Sequence, residues 1–258
     1  MNSRERFLET MAYGRPDRVP YFEEGIRPEV LQAWRSQGLA ADADPQDLFT
    51  TDRREEMDLD VDPHPWPDVW PSSSRELGHF ARLLDPEDPS RLPSNLQANQ
   101  LARKDRQHVL MLRVHRGFFL SMGVQDWGRF CELMKLIHND PGFVRDSMRL
   151  QGEFCAAMAD RLLQEVQVDA AVFSEPIGDN HGPLISPTMF ADLVLASYRP
   201  LLDVLREGKR AIRREILAKV PPLVEQGGYV PLADGRVRED IPFENYRYYR
   251  RLLEKVTG

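Results

Sequence analysis

The sequence predicts an α/β protein with a parallel sheet, and a (β/α) barrel is the natural closure for 258 residues. Three observations carry this. The runs HVLMLRV (108–114) and VDAAVFS (168–174) have strand length and largely lack the polar alternation of a half-exposed sheet, so they read as strands buried on both faces. Segments of helical periodicity alternate with these runs. Apolar residues make up 41% of the chain, enough for a sizeable core.

Taken in order, Phe7, Leu8 and Met11 recur at helical spacing, so residues 3–12 form a helix that ends at Gly14. RPDRVPYFEEG gives a turn and then a short strand over Arg18–Phe22, with Glu23 and Glu24 at its end. PEVLQAWRSQG (28–38) is a helix with proline in its first turn and glycine at its stop. Residues 39–100 show little regular pattern. DVDPHPWPDVWPSSS is too rich in proline for regular structure, and DPEDPSRLPSNLQANQLARK reads as turns leading into a helix. The first strong strand follows at 108–114, then a helix at 127–140. Asn139 and Asp140 before Pro141 cap the next helix, 143–166, whose Val144, Met148, Cys155, Met158 and Leu162 share one face. After the strand at 168–173 come helices at 187–206 and 209–225, a strand at 227–233 and a closing helix at 242–256. This gives about four strands where an eight-stranded barrel needs eight. No strand separates the two helices that meet at Glu207-Gly208.

Charge narrows the function. With 34 Lys and Arg against 41 Asp and Glu, the net charge of −7 argues against bulk nucleic-acid binding and against an anionic membrane surface. It leaves room for a local basic pocket. Cys131 and Cys155 fall inside helical patterns and make neither a disulfide framework nor a metal knuckle, which fits a reducing compartment. The N-terminus lacks the apolar core of a signal peptide, and no apolar run reaches membrane-spanning length, so a cytoplasmic protein is expected.

The candidate site residues lie past strand ends, where parallel α/β folds bind ligands. FSEPIGDNHGPLISPTMF (173–190) offers Glu175, Asp179, Asn180 and His181 between a strand and a helix. One reading makes these a substrate-facing loop with an acid and a base. The other makes them turn and cap chemistry. Arg113, His115 and Arg116 end the strand at 108–114, where they either hold an anionic group or form an exposed basic turn. Asp234 ends the strand at 227–233 and is a further binding candidate. His64 reads as a loop histidine, Tyr246, Tyr248 and Tyr249 as helix packing, and Arg210–Arg214 as a solvated helix face.

Several segments resemble the uroporphyrinogen decarboxylase superfamily. GPLISPTMFADLVLASYRPLLDVLR is similar to its segment after the middle strand, and RERFLETMAYGRPDRVPYFE to its N-terminal helix, turn and first strand. LLDPEDPSRLP resembles its mid-chain linker, and WGRFCELMKLIHNDPGFVRDSM its helix pair around a capped Asp-Pro. The stretch from Gly208 to Val256 resembles its last crossover helix, final strand and closing helix. The resemblance implies one (β/α)8, or TIM, barrel domain over 1–258 with its cleft at the C-terminal mouth. It also implies one of two activities: cofactor-free decarboxylation of uroporphyrinogen, or methyl transfer between corrinoid cofactors and small acceptors, often with zinc.

Departures from the family pattern choose between these activities. Glu23 and Glu24 stand where decarboxylases carry an arginine-rich loop, and two acids repel a polycarboxylate. No His-x-Cys pair of the zinc-dependent methyltransferases occurs. Two or more βα units are absent at Glu207-Gly208, and the region Trp70–Arg75 is shortened. A truncated barrel that pairs with another copy, and a molecule with further segments between Glu207 and Gly208 that this sequence omits, both account for that. The expected function is methyl transfer with a corrinoid protein as partner. Glu175, Asp179 and His181 are the catalytic candidates, and Glu23, Glu24, Arg113, His115, Arg116, Asn180 and Asp234 the substrate-binding ones. Decarboxylation and a non-catalytic interaction module that pairs as a homodimer are the alternatives.

Overall fold

A parallel three-stranded sheet organises the computed structural model, which describes residues 1–43, 49–92, 106–207, 243 and 247. Its strands are β1 (Arg54–Asp58), β2 (Val109–His115) and β3 (Ala170–Phe173), in the order β1-β2-β3. β2 pairs with β3 in register Met111 to Ala170 through Arg113 to Val172, and slips by one residue between Arg113 and His115. Val109, Leu110, Leu112 and Val114 of β2 are all at 0% exposure, as a central strand covered on both faces requires. The protein is therefore α/β.

The helices are α1 (Ser3–Met11), α2 (Pro28–Ser36), α3 (Ser74–Ala81), α4 (Phe118–Ser121), α5 (Trp127–Asn139) and α6 (Pro141–Glu165). After β3 come a two-stranded hairpin, β4 (Gly178–Asp179) and β5 (Gly182–Pro183), then α7 (Pro187–Phe190), a π turn (Ala191–Leu195) and α8 (Ala196–Glu207). Side-chain caps begin both long helices, the second at the Asp140 to which the sequence points. Asp126 accepts the Arg129 N–H at 2.9 Å, and Asp140 accepts the Phe143 N–H at 3.0 Å. The α6 face predicted from spacing is buried at Val144, Met148, Cys155, Met158 and Leu162. α8 crosses α6 so closely that a Cβ on Gly152 would lie 1.9 Å from the Ser197 carbonyl oxygen, so only glycine permits this crossing.

The contacts divide the chain into two compact units. One holds the described residues of Met1–Glu55 and Arg106–Val109 together with Phe243 and Arg247; the other holds those of Glu56–Asp105 and Leu110–Arg214. In the first, Val30, Trp34 and Leu39 form a small core, and the Trp34 ring meets Phe243 at 5.3 Å. In the second, one cluster gathers Leu110, Leu112, Val114, Met158 and Leu162, and another gathers Phe118, Phe143, Met148, Val194 and Tyr198.

Two expectations are corrected. Arg18–Phe22 is not a strand; only Phe22 makes an isolated bridge. Its neighbour Tyr21 gives its N–H to the buried Asp52 carboxylate at 2.8 Å and takes the Asp52 N–H at 2.7 Å. Pro20 has no N–H to give. The second correction lies in residues 39–100, which hold both β1 and α3. β1 reads REEMD and carries no apolar run, because its charges are met by partners. Glu24 meets Arg54 at 2.7 Å, His108 meets Glu55 at 3.0 Å, and Arg113 meets Glu56 at 2.5 Å. The helix expected near residue 100, those at 209–225 and 242–256 apart from Phe243 and Arg247, and the strand at 227–233 lie outside the described residues, as does the junction at Gly208.

Candidate functional site

The carboxyl ends of the three strands surround a cavity of about 310 Å³. Asp58, Leu59, Val61 and Asp62 come from the end of β1 and the loop after it. Arg113, His115 and Arg116 come from the end of β2, Leu120 from α4, and Ser174 from the residue after β3. The size is at the lower end of small-molecule sites.

His115 is the most enclosed of these polar groups, at 1% exposure. The Gly117 N–H donates to its Nδ1 at 2.9 Å, which leaves the ring proton on Nε2. Nε2 is buried and has no hydrogen-bond partner among the described residues. Burial pushes the imidazole down to about 4, so the ring is neutral at physiological pH. Phe173 stacks on it at 6.3 Å, and Tyr198 meets it edge-on at 4.6 Å.

Gly117 makes this geometry possible. Its φ of +83° is a left-handed value, and a Cβ there would sit 2.3 Å from the Ser174 carbonyl oxygen. The ends of β2 and β3 therefore approach closely only with glycine at this position. The next residue, Phe118, starts α4 and donates its N–H to Glu175 Oε1 at 2.9 Å. Tyr198 donates its hydroxyl to the other carboxylate oxygen, Oε2. Burial raises Glu175 above the usual carboxyl range, and the two hydrogen bonds partly offset this. Burial and the adjacent carboxylate together push the Tyr198 phenol far above its ordinary value, so it stays a donor. The π turn before α8, with Pro200 inside that helix, shifts the helical register that delivers Tyr198.

The arginines are already engaged. Arg113 meets Glu56 at 2.5 Å and Asp58 at 3.3 Å, and Arg116 pairs with Asp62. The loop bearing Asp62 is pinned from below by Arg91, whose fully buried side chain donates to the carbonyls of Asp60, Asp62, Leu83 and Asp85 at 2.7–3.1 Å.

Other candidates fall elsewhere. Asp179, Asn180 and His181 lie exposed on the hairpin, where Asp179 Oδ1 accepts the His181 N–H at 2.7 Å and closes the turn. The His181 side chain is 93% exposed. Glu23 and Glu24 belong to the other unit, where Glu24 pairs with Arg54, and Asp234 lies outside the described residues. His64 sits between Asp60 and Asp88 at 3.2 and 3.6 Å. Burial pushes the Cys155 thiol up to about 12, so it stays a neutral core group.

Sequence reasoning missed Gly117, Tyr198, Arg91, Asp58 and Asp62. The acids became visible only once β1 was placed, because the strand-end rule then points to them. Tyr198 carries no local signal, since it reads as one more apolar position of an amphipathic helix. No protein-family profile, no curated protein and no solved structure matches this chain.

Proposed function

We propose that the chain is a uroporphyrinogen decarboxylase-type barrel protein that transfers a methyl group from a small methylated substrate to a corrinoid protein. The observation that carries this reading is the placement of Glu175. It is a carboxyl of raised proton affinity, one residue beyond the Ser174 that lines the strand-end cavity. The parallel order β1-β2-β3 suits an arc of such a barrel. The sequence resemblance supplies the reaction class.

The cavity has room for a small substrate, so the corrinoid belongs on the partner protein, where it supplies the nucleophile that receives the methyl group. Glu175, whose proton affinity burial raises, delivers a proton to the oxygen or nitrogen from which the methyl group departs. The Phe118 N–H and Tyr198 hydroxyl fix the carboxyl plane and stabilise the carboxylate left behind. The His115 Nε2–H orients the substrate. Among the described residues no three His, Cys, Asp or Glu side chains converge as metal ligands.

The test supplies free reduced cobalamin as methyl acceptor with a panel of small O-methyl and N-methyl compounds. Methylcobalamin absorbance and the mass of the demethylated product are followed. Product should appear with the native chain and slow by roughly 100-fold or more in Glu175→Gln, the loss expected for a general acid. Failure across the panel, or equal rates in Glu175→Gln, rejects the assignment. Stepwise loss of carboxylates from uroporphyrinogen would favour decarboxylation instead.

A further inference from the structure

The charge balance of the strand-end cavity defines a ligand class. Two guanidiniums line it, at Arg113 and Arg116, against two carboxylates, at Asp58 and Asp62. The pairs are in contact, and Glu56 adds a further negative charge on Arg113. With Glu56 the acids at this end of the sheet number three against two guanidiniums, so an incoming carboxylate or phosphate would meet an excess of negative charge. The group left wanting a partner is His115 Nε2, a neutral N–H at a nearly fully buried residue that lines the cavity. A buried donor without an acceptor carries a desolvation cost that a ligand oxygen removes.

We infer that the cavity binds a small uncharged carbonyl compound, its oxygen accepting from His115 Nε2–H and a hydroxyl or amide N–H at its other end donating to Asp58 or Asp62. This rests on the substrate site of the proposed methyl transfer and narrows it. It differs from both sequence-based readings of Arg113, His115 and Arg116, as holders of an anionic group or as an exposed basic turn. The arginines serve to fix the acids that receive the ligand's donor.

The experiment uses the full chain without corrinoid, so binding is read independently of methyl transfer. Two probes share a skeleton and differ in charge: 4-hydroxybenzamide and 4-hydroxybenzoate. Affinity is measured by calorimetry, and the His115 ring nitrogens are followed by NMR on histidine-labelled protein. The amide should bind at least about tenfold more tightly than the acid and shift the His115 Nε2 resonance. Asp62→Asn, at a half-exposed position, releases Arg116 and should narrow or invert that preference while the fold is kept. Tighter binding of the acid to the native chain overturns the inference. So does binding that leaves His115 unmoved, an unchanged preference in Asp62→Asn, or no binding of either probe at millimolar concentration. If the amide binds as expected but no methyl transfer is found, the ligand class stands and the reaction falls.

Discussion

Two neighbouring regions answer the same local sequence in opposite ways. Glu175 and His181 are six residues apart, both in the stretch after β3 and both on polar-looking sequence. Glu175 is half-buried and held by Phe118 and Tyr198, residues 57 and 23 positions away. Asp179 and His181 sit on a two-residue turn, where Asp179 bonds to its neighbour His181. The difference teaches where chemistry can accumulate. A group changes its proton affinity when distant elements close over it and remove it from water, as they do at Glu175.

The largest effect that would break this contrast is at Gly117. Gly117→Ala places a Cβ against the Ser174 carbonyl in a left-handed backbone and should cost at least about 3 kcal/mol in urea unfolding. A cost below about 1 kcal/mol would show that the ends of β2 and β3 are not held as described.

His115 gives the next effect, read against pH. Its folded value, about 4, lies below the ordinary 6.5, so the unfolded chain binds the extra proton between these values. Stability is full above pH 6.5 and falls as pH drops toward 4, by roughly 3 kcal/mol in total. His115→Phe should flatten that acid limb. A limb of unchanged slope in the variant would remove His115 as its source. Glu175 has the opposite sign. Its raised value favours the protonated form on folding, so its contribution is present at acid pH and declines as pH rises through the folded value. Glu175→Gln, neutral throughout, should gain stability relative to the native chain toward alkaline pH.

Tyr198→Phe removes one donor from a half-buried carboxylate and should cost about 1–3 kcal/mol. The same change in the Glu175→Gln background should cost less, because the acceptor is no longer charged. Additive losses in the double variant would mean that the two side chains are not coupled. The smallest effects belong to the hairpin. Asp179→Ala and His181→Ala should each shift stability by less than about 0.5 kcal/mol. In the methyl-transfer assay they should leave the rate within a few-fold of native. A large loss there would move the acid from Glu175 to the turn.

The parts of the fold legible in the sequence were those whose evidence is local. β2 declared itself by an unbroken apolar run, α6 by its cap and its buried face, and α5 by its period. β1 was hidden because its stabilising partners are charges on other elements, and periodicity cannot register a charge that is met from a distance. The same reason hid half of the cavity. Asp58 and Asp62 follow a strand that sequence alone did not show, so the arginines looked unopposed.

The sequence by itself determined an α/β chain, the positions of its long helices, and the polar residues gathered after β2 and β3. These follow from backbone propensity, burial period and capping, all of which act within a few turns of chain. Only the tertiary structure decided which of those polar residues carry perturbed chemistry. Burying His115, pairing each arginine with an acid and closing Tyr198 over Glu175 are long-range acts, and proton affinity is set by what surrounds a group in space.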